Sequence, residues 1–302
     1  MIDVSVIMSV FSIDRADDVV NCIESLKKQT LPPKEIVIAI DPNSTLVSYY
    51  TKRLGSSVKL VVSDVFGLSA ARNMGVKSCT SDFLAFIDDD AVAEKNWLEN
   101  LTSNFNNPLT IGVGGHIIPV WPDKRPAWLP EELYWTIGCS YKGLPIKKMP
   151  IRNPIGCNMA FRRRVFENVG FFRTDMGRVG CMLMSHDDTE FGMRVTATLA
   201  GSTIIYDPHA VVHHVVAPHR VCFTYVMRRS YAEGFSKAFV LSGNQTSKEP
   251  LRTEKNYLLS LLRGTPQMLL RGNVKTGLFR CCTLWMSTLM VFLGYLVGFC
   301  SR

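Results

Sequence analysis

Five apolar residues, Phe83-Leu84-Ala85-Phe86-Ile87, run directly into three carboxylates, Asp88, Asp89 and Asp90. A short apolar run with polar flanks reads as a buried strand. Three like charges at its end repel one another strongly once water is partly excluded. A strand that ends this way needs positive charge close by. A hard divalent cation with oxygen ligands supplies it, and Mg²⁺ in particular is held by one or two carboxylates together with substrate phosphates. The alternative is an acidic, solvated loop.

The residues around this run carry an alternating pattern. Val4–Val10 reads as a buried strand, 16–29 as a helix stopped by Pro32-Pro33, and Glu35–Ile40 as a second strand that runs into Asp41-Pro42-Asn43. Residues 58–62 read as a third strand, 67–79 as a helix, and 82–87 as the fourth strand. The alternation predicts an α/β fold with a mainly parallel sheet between helices. Ligands of such sheets bind at the carboxyl ends of strands. Asp41 and the three aspartates fall there. Asp41-Pro42-Asn43 is equally a turn-forming sequence. Farther on, 153–161 reads as a loop entering a strand, and 204–206 and 210–212 as two short strands. Residues 187–200 read as a helix with Asp187 and Asp188 in its first turn, where the helix dipole favours acids. Trp121, Trp128 and Trp135 lie among prolines in an irregular stretch. They either shape a ligand pocket or pack on their own domain.

With 302 residues, 47% of them hydrophobic, the chain has room for one large domain and additional elements. Its net charge of +8 suits phosphorylated substrates, anionic lipid or nucleic acid. The basic residues are spread out and no aromatic-basic single-strand motif occurs, so nucleic acid is not an expected partner. Nine scattered cysteines, with no C-x-x-C, point to a reducing compartment. Met1-Ile2-Asp3-Val4 enters a strand pattern directly, so no secretory signal is expected. The sequons at Asn43, Asn100 and Asn244 are then chance occurrences.

The last segment differs in kind. Residues 281–300 contain no charge. As a helix they span ~30 Å, the hydrocarbon thickness of a bilayer. Arg263, Arg271, Lys275 and Arg280 precede them and only Arg302 follows. The positive-inside rule then predicts a single-pass protein of the cell membrane with its main domain in the cytoplasm. The expected division is a main domain over 1–218, basic amphipathic helices over 219–276, and a transmembrane helix over 277–302. The middle helices either lie on the membrane surface or pack on the domain.

The ordered set of segments resembles family-2 inverting glycosyltransferases of the GT-A (nucleotide-diphospho-sugar transferase) fold. It comprises Val4–Val10, Glu35–Ile40 with Asp41, Gly67-Leu68-Ser69-Ala70-Ala71-Arg72-Asn73-Met74-Gly75, Phe86-Ile87-Asp88-Asp89-Asp90 and His186-Asp187-Asp188-Thr189-Glu190-Phe191-Gly192-Met193-Arg194. Three further segments resemble archaeal-type enzymes that add glucuronate to a dolichyl-phosphate-linked glucose. These are Arg152-Asn153-Pro154-Ile155-Gly156-Cys157-Asn158-Met159, Tyr206-Asp207-Pro208 and Tyr231-Ala232-Glu233-Gly234-Phe235-Ser236-Lys237-Ala238.

The resemblance implies roles residue by residue. Asp90 is carried over as a metal ligand, with Asp89 and His214 as further metal contacts and Mn²⁺ or Mg²⁺ as the ion. Asp41, Arg72, Asp88 and Asp89 are expected to contact the nucleotide sugar. Asp188 matches the acid that deprotonates the acceptor hydroxyl, and Asp187 is its alternative. The family commonly has Glu where Asp187 stands. It also commonly has a second acid where Pro42 follows Asp41. Glu190 and Arg194 are spaced for an intrahelical pair. The resemblance implies a UDP-sugar donor, a lipid-linked sugar acceptor and the membrane as partners. Two alternatives stay open at this point: a synthase that transfers onto polyprenyl monophosphate itself, and a non-catalytic membrane scaffold on the same fold.

Overall fold

The computed structural model describes residues 3–177, 186–243, 252–270 and 273–301. The sequon at Asn244 and the basic residue Arg271 lie outside them. In chain order the elements are β1 (Val4–Val10), α1 (Ala16–Lys27), β2 (Glu35–Ile40), α2 (Ser44–Leu54), β3 (Lys59–Val62), α3 (Leu68–Ser78), β4 (Phe83–Asp88), β5 (Ala91–Ala93) and α4 (Trp97–Ser103). They continue through β6 (Thr110–Val120), β7 (Met149–Ile151), β8 (Asn158–Arg162), α5 (Arg163–Val169), α6 (Asp187–Thr198) and β9 (Thr203–Val215). Three helices close the chain: α7 (Phe223–Gly243), α8 (Arg252–Leu270) and α9 (Val274–Cys300). The chain divides into two units.

The first unit holds the sheet, in strand order β3-β2-β1-β4-β8-β6-β9-β5, with β7 on β9. Pairings β1–β2, β1–β4 and β2–β3 are parallel, as the βα alternation requires. Pairings β4–β8, β6–β8, β5–β9 and β7–β9 are antiparallel. The α/β fold thus holds, with the parallel order confined to the first four strands and a mixed sheet as the result. The reason is local: β8 follows the irregular stretch after β6 rather than a crossover helix.

Side-chain period explains the helices. Ala16, Val19, Cys22, Ile23 and Leu26 make one buried face of α1. Asn43 caps α2 by accepting from the backbone N–H groups of Thr45 and Leu46 at 3.0 and 3.1 Å, and its own N–H donates to the Asp41 carbonyl at 2.7 Å, so the chain turns here. On one side of the sheet an aromatic cluster joins Phe86, Phe161, Phe166, Phe172 and Phe191. Phe191 of α6 lies 4.4 Å from Phe172 and 5.1 Å from Phe161, ring centre to ring centre. Burying such a ring stabilises by about 1.5–3 kcal/mol. That packing holds α6, and so the acidic residues of its first turn, against the sheet.

Residues 204–212, expected as two strands, form one. Pro208 lacks an N–H, yet the strand continues because the fully buried Asp207 carboxylate organises it. That carboxylate accepts from His209 N–H at 3.0 Å and from Asn104 Nδ2 at 2.8 Å, and pairs with Lys148 Nζ at 2.8 Å. Burial alone would raise the Asp207 pKa, but these three donors outweigh it and hold the carboxyl below its ordinary value. A depressed pKa stabilises the folded chain above the ordinary Asp range and ceases to do so as pH falls through it. Asp207→Asn turns an amide against two donors. It is expected to cost about 1.5–3 kcal/mol at pH 7. It should also flatten the loss of stability below about pH 4. Denaturation midpoints of both proteins at neutral and acid pH check this.

The second unit comprises 119–144, 184–186 and 215–302. In it the tryptophans pack on their own unit. Trp121 meets Tyr134 edge-on at 5.4 Å, Trp128 meets Phe223 at 5.9 Å, and Trp135 Nε1 donates to Tyr257 Oη at 3.1 Å. Helix α9 is 27 residues long, with a mean hydropathy of 1.7 over its most apolar window, of which 28% is buried. It is long and apolar enough to cross a membrane. Its buried seam runs through Cys281, Leu284, Ser287, Gly294 and Gly298. Along it α9 lies parallel to α7, with the Ser230 and Ser287 hydroxyls 2.7 Å apart. A Cβ on Gly234 would strike the carbonyl of Val291, and one on Gly294 that of Tyr231. Small residues at such a crossing let backbones approach. The rest of the helix exposes Trp285, Leu289, Phe292, Leu296 and Phe299. An exposed apolar surface of this kind marks a contact with a membrane or with another protein.

Candidate active site

Sheet register gathers the site. In the β4–β8 ladder Ile87 faces Asn158, so Asp88 and Cys157 are the next residues at that end. In the β5–β9 ladder Ala91 faces His214, which brings the histidine beside Asp90. A carboxylate oxygen of Asp88, a ring nitrogen of His214 and the Cys157 sulfur all lie within 4.8 Å of one another. Asn158, fully buried, fixes this corner. It accepts from Trp97 Nε1 at 2.8 Å and donates to the carbonyls of His116 and Ala210 at 3.0 and 2.8 Å.

The positive charge that the aspartates require comes in part from the chain itself. Arg15 Nη1 lies 2.9 Å from Asp89 Oδ1 and 2.7 Å from Asp90 Oδ2. Asp90 Oδ1 lies 3.3 Å from His214 Nε2. Asp89 Oδ2 is buried with no hydrogen-bond partner among the described residues. Burial first, and then the like charge of Asp90, pushes the Asp89 carboxyl above its ordinary range, with Arg15 opposing. A pocket with a stranded carboxylate oxygen, two more acids and an imidazole fits a divalent cation by charge and by ligand type.

A second group forms around Arg72, which is 4% exposed. Its Nη1 lies 2.7 Å from Asp187 Oδ2 and its Nη2 lies 3.4 Å from Asp88 Oδ1. Ser69 Oγ lies 3.4 Å from the same Asp187 oxygen. Beside it, Asp188 Oδ2 accepts from the Gly156 N–H at 2.9 Å. A Cβ on Gly156 would sit 2.6 Å from Arg72 Nη2, so a side chain here would displace the guanidinium. The acids of β4 and of α6 are therefore linked through one guanidinium and one loop. Asp187 is committed to Arg72, whereas Asp188 is half-buried at the helix start.

Glu190 and Arg194 form the expected pair at 2.7 Å. Arg194 also donates to the carbonyls of Val169 and Phe171, at 2.7 and 2.8 Å, and so ties α6 to the segment after α5. Asp41 stands at the end of β2, across β1 from Asp88, and accepts from the Gly67 N–H at 3.2 Å. Its carboxyl is pushed up by burial, with that N–H opposing. Sequence reasoning missed Arg15, Gly156 and Cys157. Arg15 follows β1 by five residues and so carried a topological signal. The other two depended on an antiparallel pairing that no pattern in the sequence announces.

Comparison with known proteins adds a second line of observation. Residues 5–170 match the family model described as glycosyl transferase family 2. The chain is 33% identical over 238 residues to the glucosyl-dolichyl phosphate glucuronosyltransferase of Haloferax volcanii, covering 78% of this chain and 76% of that protein. It is 24% identical over 221 residues to glycosyltransferase AglE of the same organism, covering 71% of this chain and 67% of the relative. It is 30% identical over 171 residues to the succinoglycan biosynthesis protein ExoM of Rhizobium meliloti, covering 55% of this chain and 50% of that protein.

Proposed function

The chain belongs to glycosyl transferase family 2, and on that footing we propose that it moves a sugar, glucuronate, from a UDP-linked donor onto a dolichyl-phosphate-linked sugar, with inversion at the anomeric carbon. The observation that carries this reading is the linkage of Asp88 to Asp187 through Arg72, with Asp188 held beside them by Gly156. An inverting transfer needs a donor-side acid group and a base-side acid in one rigid frame. The relative in Haloferax volcanii supports the choice of donor sugar and acceptor.

Asp188 serves as base. It takes the proton of the acceptor hydroxyl as that oxygen bonds to the anomeric carbon. The bond from that carbon to the nucleoside diphosphate breaks, and its electron pair leaves with the diphosphate. Arg72 fixes Asp187 and the start of α6. Asp41 meets the base or ribose of the nucleotide, and Asp88 and Asp89 the ribose side. Asp90, Asp89 and His214 would hold Mn²⁺ or Mg²⁺. When bound, the ion supplies charge neutralisation for the diphosphate leaving group. The exposed face of α9 is the membrane anchor, with Lys275 and Arg280 at its cytoplasmic start.

The test is a donor screen with the full chain in detergent. Radiolabelled UDP-glucuronate, UDP-glucose, UDP-N-acetylglucosamine and GDP-mannose are each offered with a dolichyl-lipid extract, with Mn²⁺ or with EDTA. Label is expected to enter lipid from UDP-glucuronate alone and to stop with EDTA. Absence of transfer from every donor would sink the proposal and favour the scaffold reading. Transfer from another donor alone would sink the choice of sugar.

A further inference from the structure

We infer, building on the transferase reading only for the location of the pocket, that Cys157 is a further ligand of the ion assigned there to Asp90, Asp89 and His214, which makes the site a mixed oxygen–nitrogen–sulfur centre.

The geometry comes from the sheet. Antiparallel pairing sets Cys157 beside Asp88, and the β5–β9 ladder delivers His214 to the same place. Three atoms bound to one ion at ~2.0–2.3 Å lie about 3.3–4.0 Å apart. The three candidate donors are within 4.8 Å of one another, so side-chain shifts of about 1 Å or less close them on one ion. Cys157 is 3% exposed and His214 is 2% exposed, whereas Asp88 stands half-buried at the mouth. The centre therefore has a dry inner side and one ligand turned toward arriving substrate.

Burial of a cysteine is ordinary, since a thiol packs as a small hydrophobe. The surroundings of Cys157 are not those of a packing residue, because an imidazole and a carboxylate converge on its sulfur. Cys22 gives the contrast. It too is buried near the aspartates, but its sulfur faces the Asp88 backbone carbonyl at 3.8 Å, and among the described residues it joins no such group of donors. The arrangement behind the histidine points the same way. Asp90 Oδ1 sits 3.3 Å from His214 Nε2, a spacing that lets Asp90 bind the same ion beside the imidazole. Asp90 is in turn held by Arg15 at 2.7 Å.

A sulfur ligand changes which ion is favoured. Mg²⁺ prefers oxygen donors and keeps its waters, whereas thiolate and imidazole favour Zn²⁺ and Co²⁺ over Mn²⁺ and Mg²⁺. The expected affinity order is Zn²⁺ and Co²⁺ above Mn²⁺, with Mg²⁺ weakest.

Co²⁺ titration of the metal-free full chain in detergent, without any donor sugar, tests this by spectroscopy. A sulfur-to-cobalt charge-transfer band in the near ultraviolet is expected at one equivalent. Cys157→Ser should remove it and weaken Co²⁺ binding about 10–100-fold. Cys22→Ser should retain the band. Cadmium-113 NMR of the unaltered protein reads the same point without a variant, since one sulfur ligand moves the resonance far downfield of an all-oxygen site. Co²⁺ binding without the band, or a band that survives Cys157→Ser, would overturn the assignment and leave the transferase reading standing. No Co²⁺ binding by a preparation that transfers sugar would overturn it as well. A preparation that shows the sulfur band but transfers no sugar would uphold the assignment and count against the transferase reading.

Discussion

Asp188→Asn is expected to lower kcat for sugar transfer by about 10²–10⁴-fold, the usual contribution of a positioned general base. The amide can still accept from the Gly156 N–H that now holds Asp188 Oδ2 at 2.9 Å, so the loop and the start of α6 should stay in place. Donor binding should therefore change little, and the loss should appear in kcat rather than in KM for the nucleotide sugar. Asp187→Asn should behave differently. Asp187 Oδ2 lies 2.7 Å from Arg72 Nη1, so its removal should disturb folding stability as well as rate. Steady-state kinetics of the two variants beside their melting curves separate these effects. A fall of less than tenfold for Asp188→Asn, with Asp187→Asn losing rate but not stability, would move the base to Asp187.

Arg72→Ala is expected to be the most damaging single change in the sheet unit. It leaves Asp187, itself 5% exposed, without the guanidinium that neutralises it, and it releases Asp88 from the same group. Breaking a buried ion pair from one side costs about 3–5 kcal/mol, because the remaining charge stays desolvated. Arg72→Lys should recover only part of that. A single ammonium cannot reach Asp187 and Asp88 together as a planar fork does. Equilibrium denaturation of the full chain in detergent gives the comparison. A cost below about 1 kcal/mol for Arg72→Ala would show that the network is not what holds α6.

What the residues reveal and what they hide follows from the range of the interactions. Apolar runs such as Ile36–Ile40 and Phe83–Ile87 mark buried parallel strands by themselves, and their carboxyl ends locate Asp41 and Asp88. Periodicity likewise marks α1 and the apolar α9. The pairing of β8 between β4 and β6 is non-local. It decides that Cys157 lies beside Asp88, and nothing within either segment encodes it. Charge balance was legible only as a need. Three aspartates demand a cation, but that Arg15 supplies part of it depends on how the end of β1 turns into α1. The strand through Pro208 was illegible for a similar reason. A proline ordinarily interrupts a ladder, and it is Asn104 and Lys148, distant in sequence, that hold Asp207 in place.

In the proposed reaction this chain joins a sugar to a lipid-linked sugar with the aid of a base at Asp188. The most direct measurement offers the full chain UDP-[¹⁴C]glucuronate with two purified acceptors, glucosyl-dolichyl phosphate and bare dolichyl phosphate. Wild type and Asp188→Asn are compared on both. A hydroxyl acceptor needs a base, whereas a phosphate acceptor is already ionised. Label on glucosyl-dolichyl phosphate only, lost in Asp188→Asn, is the expected result. Label on bare dolichyl phosphate, at a rate indifferent to Asp188→Asn, would contradict the claim and make the chain a polyprenyl-monophosphate sugar synthase.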